Sequence, residues 1–347
     1  MRAAVLQGER SVAVEQVPDP RLPGPDGVVI AVEHTAICGS DLHLYHGDIP
    51  AVGVCLGHEA VGTVTDAGPE VRTVGVGDRV LVSGVIGCGR CGPCRAGQPS
   101  RCATNQMAVF GTTPELPGGQ AEALAVPAAD LFTLPIPESV TAEQAVLLTD
   151  ILPTGWLGAH RADIQPGSTV AVVGLGPVGV LALQCAQLWS PGRVLAVDTV
   201  PDRLARAEAL GAEPVDASGG AGVAGVLERT GGRVADSVIE AVGLDQTVVD
   251  AISMAATGGT VSVVGVNLSM ALPFPMALAF LQQLTIRTTV ASIPGTWDAL
   301  VPLLASGRLR PDGVFTHRMG LSEVDEAYRI FDAHDPGVLK ILLDPTR

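Results

Sequence analysis

Between Thr169 and Val290 the sequence alternates short β-rich runs with helical segments, an order that few folds accept. The runs TVAVVG, RVLAVD, EPVD, VADSVIEAVG, GGTVSVVGV and LTIRTTV are typical of strands, about six in all. Strands separated by helices indicate βαβ units and a parallel sheet. This stretch therefore predicts a doubly wound α/β domain.

A glycine motif marks the point where the first of these strands passes into the first helix. Glycines at this turn let backbone N–H groups approach a pyrophosphate at the helix N-terminus, where the helix dipole favours anions. The alternative is that the glycines only form packing turns. The predicted cofactor contacts of this loop are Gly174, Gly176, Pro177, Val178 and Gly179.

An acidic residue, Asp198, ends the second predicted strand. A carboxylate at this position accepts hydrogen bonds from the adenosine ribose hydroxyls and repels a 2′-phosphate, which favours NAD over NADP. Arg203 lies one helical turn further on and is either a ribose contact or a solvated arginine.

The segment GCGRCGPCRAGQPSRC contains four cysteines at the spacing C-x2-C-x2-C-x7-C. Four thiolates in so short a span can close a tetrahedral sphere without an open position, as a structural zinc site requires. The alternatives are a redox cluster or cysteines that merely lie in a loop. The predicted ligands of a structural zinc lobe, at about 86–104, are Cys88, Cys91, Cys94 and Cys102.

A second constellation lies in HTAICGSDLHLYHGDIPAVGVCLGHE, residues 34–59. Cys38 and His58 offer the thiolate and imidazole that zinc accepts most readily. Ser40 and His43 lie between them and supply a hydroxyl and a titratable ring. Together these groups could remove a proton from an alcohol, but two ligands do not complete a zinc site.

Asp150 is the one carboxylate inside the apolar stretch that follows Glu143. The segment TAEQAVLLTDILPTGWLGAHRA predicts a helix with Thr141 as N-cap and an interruption at Pro153. Asp150 is either a local cap or surface charge, or the partner of a metal, because a buried unpaired carboxylate is unfavourable.

Composition narrows the class of protein. The formal net charge of −15 argues against nucleic acid or an anionic membrane as a partner. Charges at Glu9 and Arg10 interrupt any signal-peptide core, and two uncharged stretches contain prolines, glycines and amides that do not suit a spanning helix. Seven cysteines, an odd number, fit a reducing compartment. We expect a soluble, cytoplasmic protein.

The length of 347 residues predicts two domains. Residues 1–152 alternate β-rich runs with Pro/Gly turns and predict an antiparallel barrel or sandwich that contains the cysteine lobe. Residues 153–290 form the predicted nucleotide-binding domain. Residues 291–347 are too short for a domain of their own and are expected to return and complete the first one.

The motifs ICGSDLH, GHE, GDRV, the four-cysteine lobe and GLGPVG occur together and in this order. In these residues the chain resembles the zinc-dependent medium-chain alcohol dehydrogenases over nearly its whole length. The resemblance implies an α/β fold with a GroES-like β-barrel catalytic domain and a Rossmann domain. It also implies two zinc ions per chain and NAD.

Carried over by resemblance, Cys38 and His58 are ligands of a catalytic zinc. TDILPTG resembles a bacterial branch with an aspartate as third ligand, which favours Asp150, with Glu59 as the other candidate. Glu59 also resembles an acid that approaches the metal when a ligand exchanges. Asp41 resembles the carboxylate that orients the ligating histidine.

The implied reaction is the oxidation of an alcohol bound at the open zinc position. The proton is expected to leave through Ser40, the ribose hydroxyls of NAD and His43, and hydride passes to the nicotinamide. His46 lies three residues from His43, but the GSDLH match favours His43. Thr154 resembles a residue that lines the nicotinamide.

The leading interpretation is an NAD-dependent dehydrogenase of primary or secondary alcohols. A polyol or threonine dehydrogenase is the alternative within the family, and a zinc-free quinone or enone reductase is disfavoured by the three ligands. A binding protein without turnover is an alternative of another class. The resemblance also suggests a homodimer or homotetramer, with LTIRTTV as a candidate edge strand between subunits.

Overall fold

The computed structural model describes residues 1–104 and 108–347. Its strands in chain order are β1 (Arg2–Gly8), β2 (Ser11–Gln16), β3 (Val28–Ala36), β4 (Ala60–Ala67), β5 (Arg79–Val82), β6 (Val85–Ile86), β7 (Ala108–Val109), β8 (Ala123–Val126), β9 (Thr133–Pro135), β10 (Thr169–Val173), β11 (Arg193–Asp198), β12 (Glu213–Asp216), β13 (Ala235–Glu240), β14 (Ala255–Val263), β15 (Thr285–Thr288), β16 (Phe315–Gly320) and β17 (Lys340–Asp344).

The α-helices of the same residues are α1 (Asp41–Tyr45), α2 (Gly92–Arg95), α3 (Ala129–Phe132), α4 (Ala142–Leu147), α5 (Ile151–Arg161), α6 (Pro177–Gln187), α7 (Pro201–Ala209), α8 (Gly222–Arg229), α9 (Asp245–Ser253), α10 (Met276–Leu281), α11 (Trp297–Ala305) and α12 (Val324–Asp332). The chain divides into two compact units, one formed by Met1–Pro153 with Ala291–Arg347 and the other by Thr154–Val290.

The first unit is built on a seven-stranded sheet in the order β16-β17-β3-β4-β5-β9, with β8 also paired to β3. Its pairs are antiparallel except for β16 with β17, which are parallel. Strand β17 comes from the last residues of the chain and lies directly beside β3, which leads to Cys38. The C-terminal segment therefore supplies part of the structure that carries the first metal-site residues.

The second unit is a six-stranded parallel sheet in the order β12-β11-β10-β13-β14-β15. Its central strands are apolar runs whose side chains are almost all buried, as expected when helices cover both faces of a parallel sheet. Helix α6 is buried along nearly its whole length. The predicted α/β class and doubly wound sheet are confirmed.

One local prediction of helix structure failed and another was confirmed. The prediction of one helix interrupted at Pro153 was wrong: α4 ends at Leu147, α5 begins at Ile151, and Pro153 lies in the first turn of α5. Proline is tolerated there because first-turn N–H groups have no partner within the helix. The predicted N-cap was right, since the Thr141 side chain accepts from the Gln144 N–H.

None of the helices among the described residues is both long and apolar enough to cross a lipid bilayer.

Candidate functional site: two clusters of metal-ligating side chains and a glycine loop

Four side chains of the first unit meet although they come from three distant segments. Cys38 follows β3, His58 and Glu59 precede β4, and Asp150 lies in the short turn between α4 and α5. One ligand atom from each lies within 4.8 Å of the others. The break between the two helices is what places Asp150 here, because the turn directs its carboxylate towards Cys38 and His58.

The distances within this cluster suit a metal. Asp150 Oδ2 lies 3.4 Å from Cys38 Sγ and 3.3 Å from His58 Nε2. Ser40 Oγ lies 3.3 Å from Cys38 Sγ and 3.4 Å from His58 Nε2, so the predicted proton-relay hydroxyl borders the same space. A thiolate, an imidazole and a carboxylate form the donor set that zinc binds, and three protein ligands leave a fourth position open.

The turn that carries Asp150 is itself held by hydrogen bonds. The Trp297 indole N–H donates to the Leu148 carbonyl at 3.0 Å, and the Gly84 N–H donates to the Thr149 carbonyl at 2.9 Å. Both donors lie in the same unit as Asp150. The turn is therefore fixed by its neighbours as well as by its own sequence.

Asp41 orients His58 through Nδ1, the ring nitrogen that does not face the cluster. Its Oδ1 lies 3.1 Å from His58 Nδ1, and its Oδ2 accepts from the Cys38 backbone N–H at 2.9 Å. The Gln120 amide also reaches Oδ2, and the buried Tyr328 hydroxyl donates to Gln120 at 3.0 Å. A donor Nδ1 leaves Nε2 facing the cluster, which is the tautomer that a metal requires.

The charges within the cluster favour a bound cation. Burial and the negative charge of Asp150 raise the pKa of Cys38, so a positive ion among these groups would favour the thiolate. Burial lowers the pKa of His58, but Asp41 and Cys38 outweigh it and hold that pKa well above its usual value. Metal binding at Nε2 would therefore release a proton.

Glu59 is fully buried and has a partner that the sequence did not reveal. Its Oε1 accepts from Lys340 Nζ at 2.6 Å, and Lys340 is also fully buried, on β17. Burial lowers the pKa of Lys340, but Glu59 and Cys38 outweigh burial, and the net pKa is raised. Sequence patterns alone did not indicate Lys340, Gln120 or Tyr328; the one available signal was a lysine inside the apolar strand VLKILLD.

His43 is not part of the cluster of four. It lies on α1, and its Nδ1 is 3.1 Å from the Asp48 carboxylate, in an exposed pair. The neighbouring His46 is 2.6 Å from Asp332 instead. Both histidines are therefore paired with an aspartate, and the assignment of His43 to the solvent end of a proton relay stays a prediction.

The second cluster contains the four cysteines of the predicted lobe. Their Sγ atoms all lie within 4.8 Å of one another, with Cys91 at 3.4 Å from Cys94 and 4.0 Å from Cys102. A zinc–sulfur bond of about 2.3 Å implies tetrahedral edges of about 3.8 Å, close to both distances. Hydrogen bonds from Thr104 and the Arg90 and Cys91 N–H groups lower the pKa of Cys88 to about 7, which favours its thiolate.

The glycine loop of the second unit has the geometry that a phosphate site needs. Gly174 has φ of +85°, in the left-handed region, and a Cβ on Gly179 would lie 1.7 Å from the Gly174 carbonyl oxygen. Gly176 is the N-cap of α6, and Pro177 and Val178 begin the helix. A Cβ on Gly176 would meet no atom of the described residues within 4 Å, so the space beside the loop is open.

Asp198 ends β11 and binds the loop itself. Its Oδ2 accepts from the Leu175 N–H at 2.6 Å, and its Oδ1 accepts from Thr199 and Val200 at 2.7 and 2.9 Å. Arg203 Nη1 lies 3.8 Å from Oδ2, so this arginine is an ion-pair partner of Asp198 rather than a solvated side chain. Thr154 lies in the first turn of α5, within the second unit.

The comparisons with known proteins agree with both units. The family description "Alcohol dehydrogenase GroES-like domain" matches residues 24–137, and "Zinc-binding dehydrogenase" matches residues 177–306. A Mycobacterium tuberculosis protein named "Probable zinc-binding alcohol dehydrogenase" is 50% identical over 99% of this chain and 89% of its own length.

Solved structures agree with the sequence comparisons. The alcohol dehydrogenase TADH from Thermus sp. ATN1 is similar with a TM-score of 0.92 and 40% identity, over 99% of each chain. A Sinorhizobium meliloti chain with NADP bound has a TM-score of 0.85 and 30% identity, again over 99% of each chain.

Together these similarities define the class as zinc-binding dehydrogenases, oxidoreductases with a GroES-like and a nucleotide-binding part. The chain belongs to the zinc-dependent medium-chain alcohol dehydrogenase family.

Proposed function

We propose that this protein oxidises primary or secondary alcohols to aldehydes or ketones, reversibly, with NAD as the hydride acceptor. The observation that carries the proposal is the cluster of Cys38, His58 and Asp150. In this cluster Asp150 Oδ2 lies 3.4 Å from Cys38 Sγ and 3.3 Å from His58 Nε2. A three-ligand zinc site leaves one position for substrate oxygen.

Each residue of the cluster has a proposed role. Cys38, His58 and Asp150 would hold the catalytic zinc, and the four cysteines of the lobe would hold a structural one. Bound zinc supplies a Lewis acid that lowers the pKa of an alcohol hydroxyl to near neutrality. Asp41 keeps His58 Nε2 directed at the metal position, because its Oδ1 engages the other ring nitrogen.

Ser40 is the group placed to take the substrate proton first, since its Oγ borders the cluster at 3.3 and 3.4 Å. His43, paired with Asp48 at the surface, is the proposed solvent end of the relay. Thr154 is proposed to line the nicotinamide.

NAD is the proposed cofactor, held by the glycine loop with Asp198 at the ribose. A carboxylate has about four acceptor positions, and the three N–H groups bound to Asp198 leave one for a ribose hydroxyl. Arg203 is the competing influence, because a cation beside the ribose would attract the 2′-phosphate of NADP. The structural relative with NADP bound makes the preference a point to test.

We further propose a homo-oligomer, a dimer or tetramer, located in the cytoplasm. Strand β15 ends the sheet order, and the segment before it exposes large apolar side chains, Met270, Phe280 and Leu281 among them. Apolar patches of this kind are typical of protein interfaces. The cytoplasmic location rests on the metal-type cysteine spacing, which suits a reducing compartment.

The experiment is NADH formation by the purified protein, followed optically with primary alcohols, secondary alcohols, polyols and threonine. Turnover with simple alcohols that a chelator abolishes would support the proposal; turnover restricted to polyols or threonine would select the family alternative. No reduction of NAD or NADP in protein that holds two zinc ions would contradict it and favour a binding role.

Metal content tests the ligand assignment separately. Asp150→Ala should lower the zinc content from about two ions to about one per chain and abolish turnover, since two ligands bind zinc poorly. Cys91→Ser should lower the content of the other site, and the exposed Asp163→Asn serves as control. Retention of both ions by Asp150→Ala would move the third ligand elsewhere, to Glu59 in the first instance.

A further inference from the structure

One short segment of the first unit, residues 292–297, adjoins both candidate metal clusters. It belongs to the part of the chain that returns to this unit after residue 290, and it leads directly into α11. Its side chains Ile293, Thr296 and Trp297 are buried, so the segment is anchored in the core. We call residues 292–297 the connecting segment, because its contacts on the two sides reach different clusters.

On one side the connecting segment packs against the cysteine lobe, residues 88–102. The Gly295 N–H donates to the Gly97 carbonyl at 3.1 Å, and the hydroxyls of Ser292 and Ser100 lie 2.5 Å apart. A Cβ on Gly97 would lie 2.8 Å from Gly295 Cα, and a Cβ on Gly295 would lie 2.8 Å from the Gly97 oxygen. Backbone rests on backbone here, so no flexible side chain can absorb a displacement of the lobe.

On the other side the connecting segment holds the turn that carries Asp150. The Trp297 indole N–H donates to the Leu148 carbonyl at 3.0 Å, two residues before Asp150. Leu148 is the C-cap of α4, where backbone carbonyls have no partner within the helix. Trp297 also lines a cleft together with Cys94 and Gly97 of the lobe. One residue therefore adjoins both the cysteine lobe and the Asp150 turn.

The cysteine lobe has little regular structure among its described residues. Its helices are the four-residue α2 and a three-residue 3₁₀ turn at Pro99–Arg101. Segments that gather several thiolates in this way take their folded shape together with the metal, because the binding free energy is also folding free energy. The positions of Gly97 and Ser100 are therefore expected to depend on whether the four cysteines hold an ion.

We propose that Trp297 is a positioning residue through which the cysteine lobe fixes the Asp150 turn. Metal held by the four cysteines then strengthens metal binding at the cluster of Cys38, His58 and Asp150. The inference rests on the proposed function, because it presumes a metal at each cluster. Such a coupling is reciprocal, so metal at either cluster strengthens binding at the other.

Trp297→Phe tests the connection by removing the indole N–H while keeping an aromatic ring in the core. The protein carries Zn²⁺ in the lobe and Co²⁺ in the Asp150 cluster, where the visible absorption spectrum reports the ligand geometry. The spectrum should change before substrate is added. The affinity for Co²⁺, measured by competition with a chelator, should fall about two- to tenfold, the range that one hydrogen bond contributes.

Trp189→Phe is the matched control, because Trp189 follows α6 in the other unit and should alter neither the spectrum nor the affinity. A merely structural role of Trp297 would lower the free energy of unfolding without changing the cobalt spectrum. A Trp297→Phe protein with the wild-type spectrum and wild-type affinity would overturn the inference.

Gly295→Ala disturbs the contact with the lobe and leaves every candidate ligand in place. Its methyl group would meet the Gly97 oxygen at 2.8 Å, so the lobe and the connecting segment must move apart. We expect the cobalt spectrum of the Asp150 cluster to change, as in Trp297→Phe. Gly92→Ala is the control within the lobe, because a Cβ there meets no described atom within 4 Å beyond its chain neighbours. A wild-type spectrum in Gly295→Ala would contradict the coupling.

A double-variant cycle shows whether the coupling runs through Trp297. Cys91→Ser weakens metal binding in the lobe and should lower the Co²⁺ affinity of the Asp150 cluster. Trp297→Phe added to Cys91→Ser should lower it little further, because both changes break the same connection. Fully additive effects would refute the route through Trp297. Gly295→Ala can replace Cys91→Ser in this cycle, so the test does not depend on the folding of a cysteine variant.

The wild-type protein gives a readout that needs no variant in the core. Tryptophan labelled with ¹⁵N should give three indole signals, because the chain has three tryptophans, and Trp297→Phe identifies one of them. The indole N–H of Trp297 is buried and hydrogen-bonded, so its exchange with solvent should be slow. Selective removal of metal from the lobe should speed that exchange. An exchange rate that is indifferent to the lobe metal would overturn the inference.

The two proposals fail differently. A wild-type protein that binds metal only at the four cysteines would refute the proposed function, and the inference with it. A protein with two metals and alcohol turnover, in which Trp297→Phe and Gly295→Ala both keep the wild-type cobalt spectrum, would leave the function intact and refute only the inference.

Discussion

Asp198 serves two purposes with one carboxylate. It fixes the glycine loop by accepting from Leu175, and it begins the next turn by accepting from Thr199 and Val200. Substitution by a residue without an acceptor would leave buried N–H groups unpaired, at a cost of about 1–3 kcal/mol each. A cofactor-preference experiment must therefore remove the charge of Asp198 and retain an oxygen.

Asp198→Asn comes closest to that requirement: its one oxygen can accept from Thr199 and Val200, whereas its amide nitrogen leaves the Leu175 N–H without an acceptor. We expect the ratio of kcat/KM with NADP to that with NAD to rise by about tenfold or more, since removal of about 1.4 kcal/mol of repulsion is a factor of ten. Arg203 remains to attract the 2′-phosphate. Asp216→Asn is the matched control, because Asp216 lies opposite Asp198 in the strand register, at the end of the neighbouring strand β12. An unchanged ratio of the two kcat/KM values would contradict the proposal that Asp198 binds the ribose.

Glu240 is a buried carboxylate outside both metal clusters. Its Oε1 accepts from Val242, Gly243 and Thr247, and its Oε2 is without a partner among the described residues. Burial raises the pKa of Glu240 above 4.5, although these hydrogen bonds oppose the shift. The folded state therefore holds this proton more tightly than the unfolded state does.

The sign of the resulting pH dependence follows by linkage. The contribution of Glu240 to stability is greatest below pH 4.5 and falls as the pH rises through its folded pKa. Glu240→Gln should gain free energy of unfolding relative to wild type as the pH rises above 4.5, as measured by urea unfolding. Glu33→Gln should show the opposite trend, because hydrogen bonding to Arg79 lowers the pKa of Glu33. A difference independent of pH would contradict the Glu240 account.

At the scale of elements, β15 leaves one edge of the six-stranded sheet without a neighbour in the described chain. An exposed edge invites pairing with another copy unless it is covered. Helix α10 precedes this strand, and Phe280 and Leu281 at its end are 72% and 74% exposed. Apolar groups so exposed beside an edge strand fit a surface that another subunit covers.

Phe280→Asp with Leu281→Asp should therefore lower the mass observed by light scattering after gel filtration, without loss of the folded state. Two charges in a covered apolar contact would be unpaired and desolvated. Leu227→Asp is the control, since Leu227 is a partly exposed apolar residue on α8. A wild-type protein that elutes as a single copy would contradict the proposed assembly.

At the scale of the whole molecule, each unit carries its own candidate ligand-binding residues. Both candidate metal clusters belong to the unit of Met1–Pro153 and Ala291–Arg347, and the glycine loop belongs to Thr154–Val290. Residues that bind a ligand only in the folded state are stabilised by it. Cofactor and metal should therefore protect different parts of the chain.

Hydrogen exchange measures this division. NAD should slow exchange in residues 174–179 and 198–200, whereas removal of metal by a chelator should speed exchange in residues 38–59 and 88–102. Adenosine is a suitable comparison, because it lacks the pyrophosphate and should protect the glycine loop less. Protection of residues 38–59 alone on addition of NAD would contradict the assignment of the glycine loop.

The sequence by itself determined the features that depend on short spacing and periodicity. These are the doubly wound sheet, the glycine loop and its following acid, and the four cysteines, because each is encoded within one local pattern. It identified Cys38 and His58 in one segment but left Asp150 and Glu59 as competing ligands. Nothing in spacing decides whether Glu59, adjacent to His58, or the distant Asp150 reaches the metal.

Only the tertiary structure decided the contacts between distant segments. It showed that α4 ends before Asp150, so that a turn and not a helix presents this carboxylate. It also placed Lys340 against Glu59, 281 positions apart in the chain. Such pairs depend on which strands become neighbours, here β17 beside β3, and the packing of the whole unit sets that order. The chemistry of each residue can be read along the chain, but its partners are chosen by the fold.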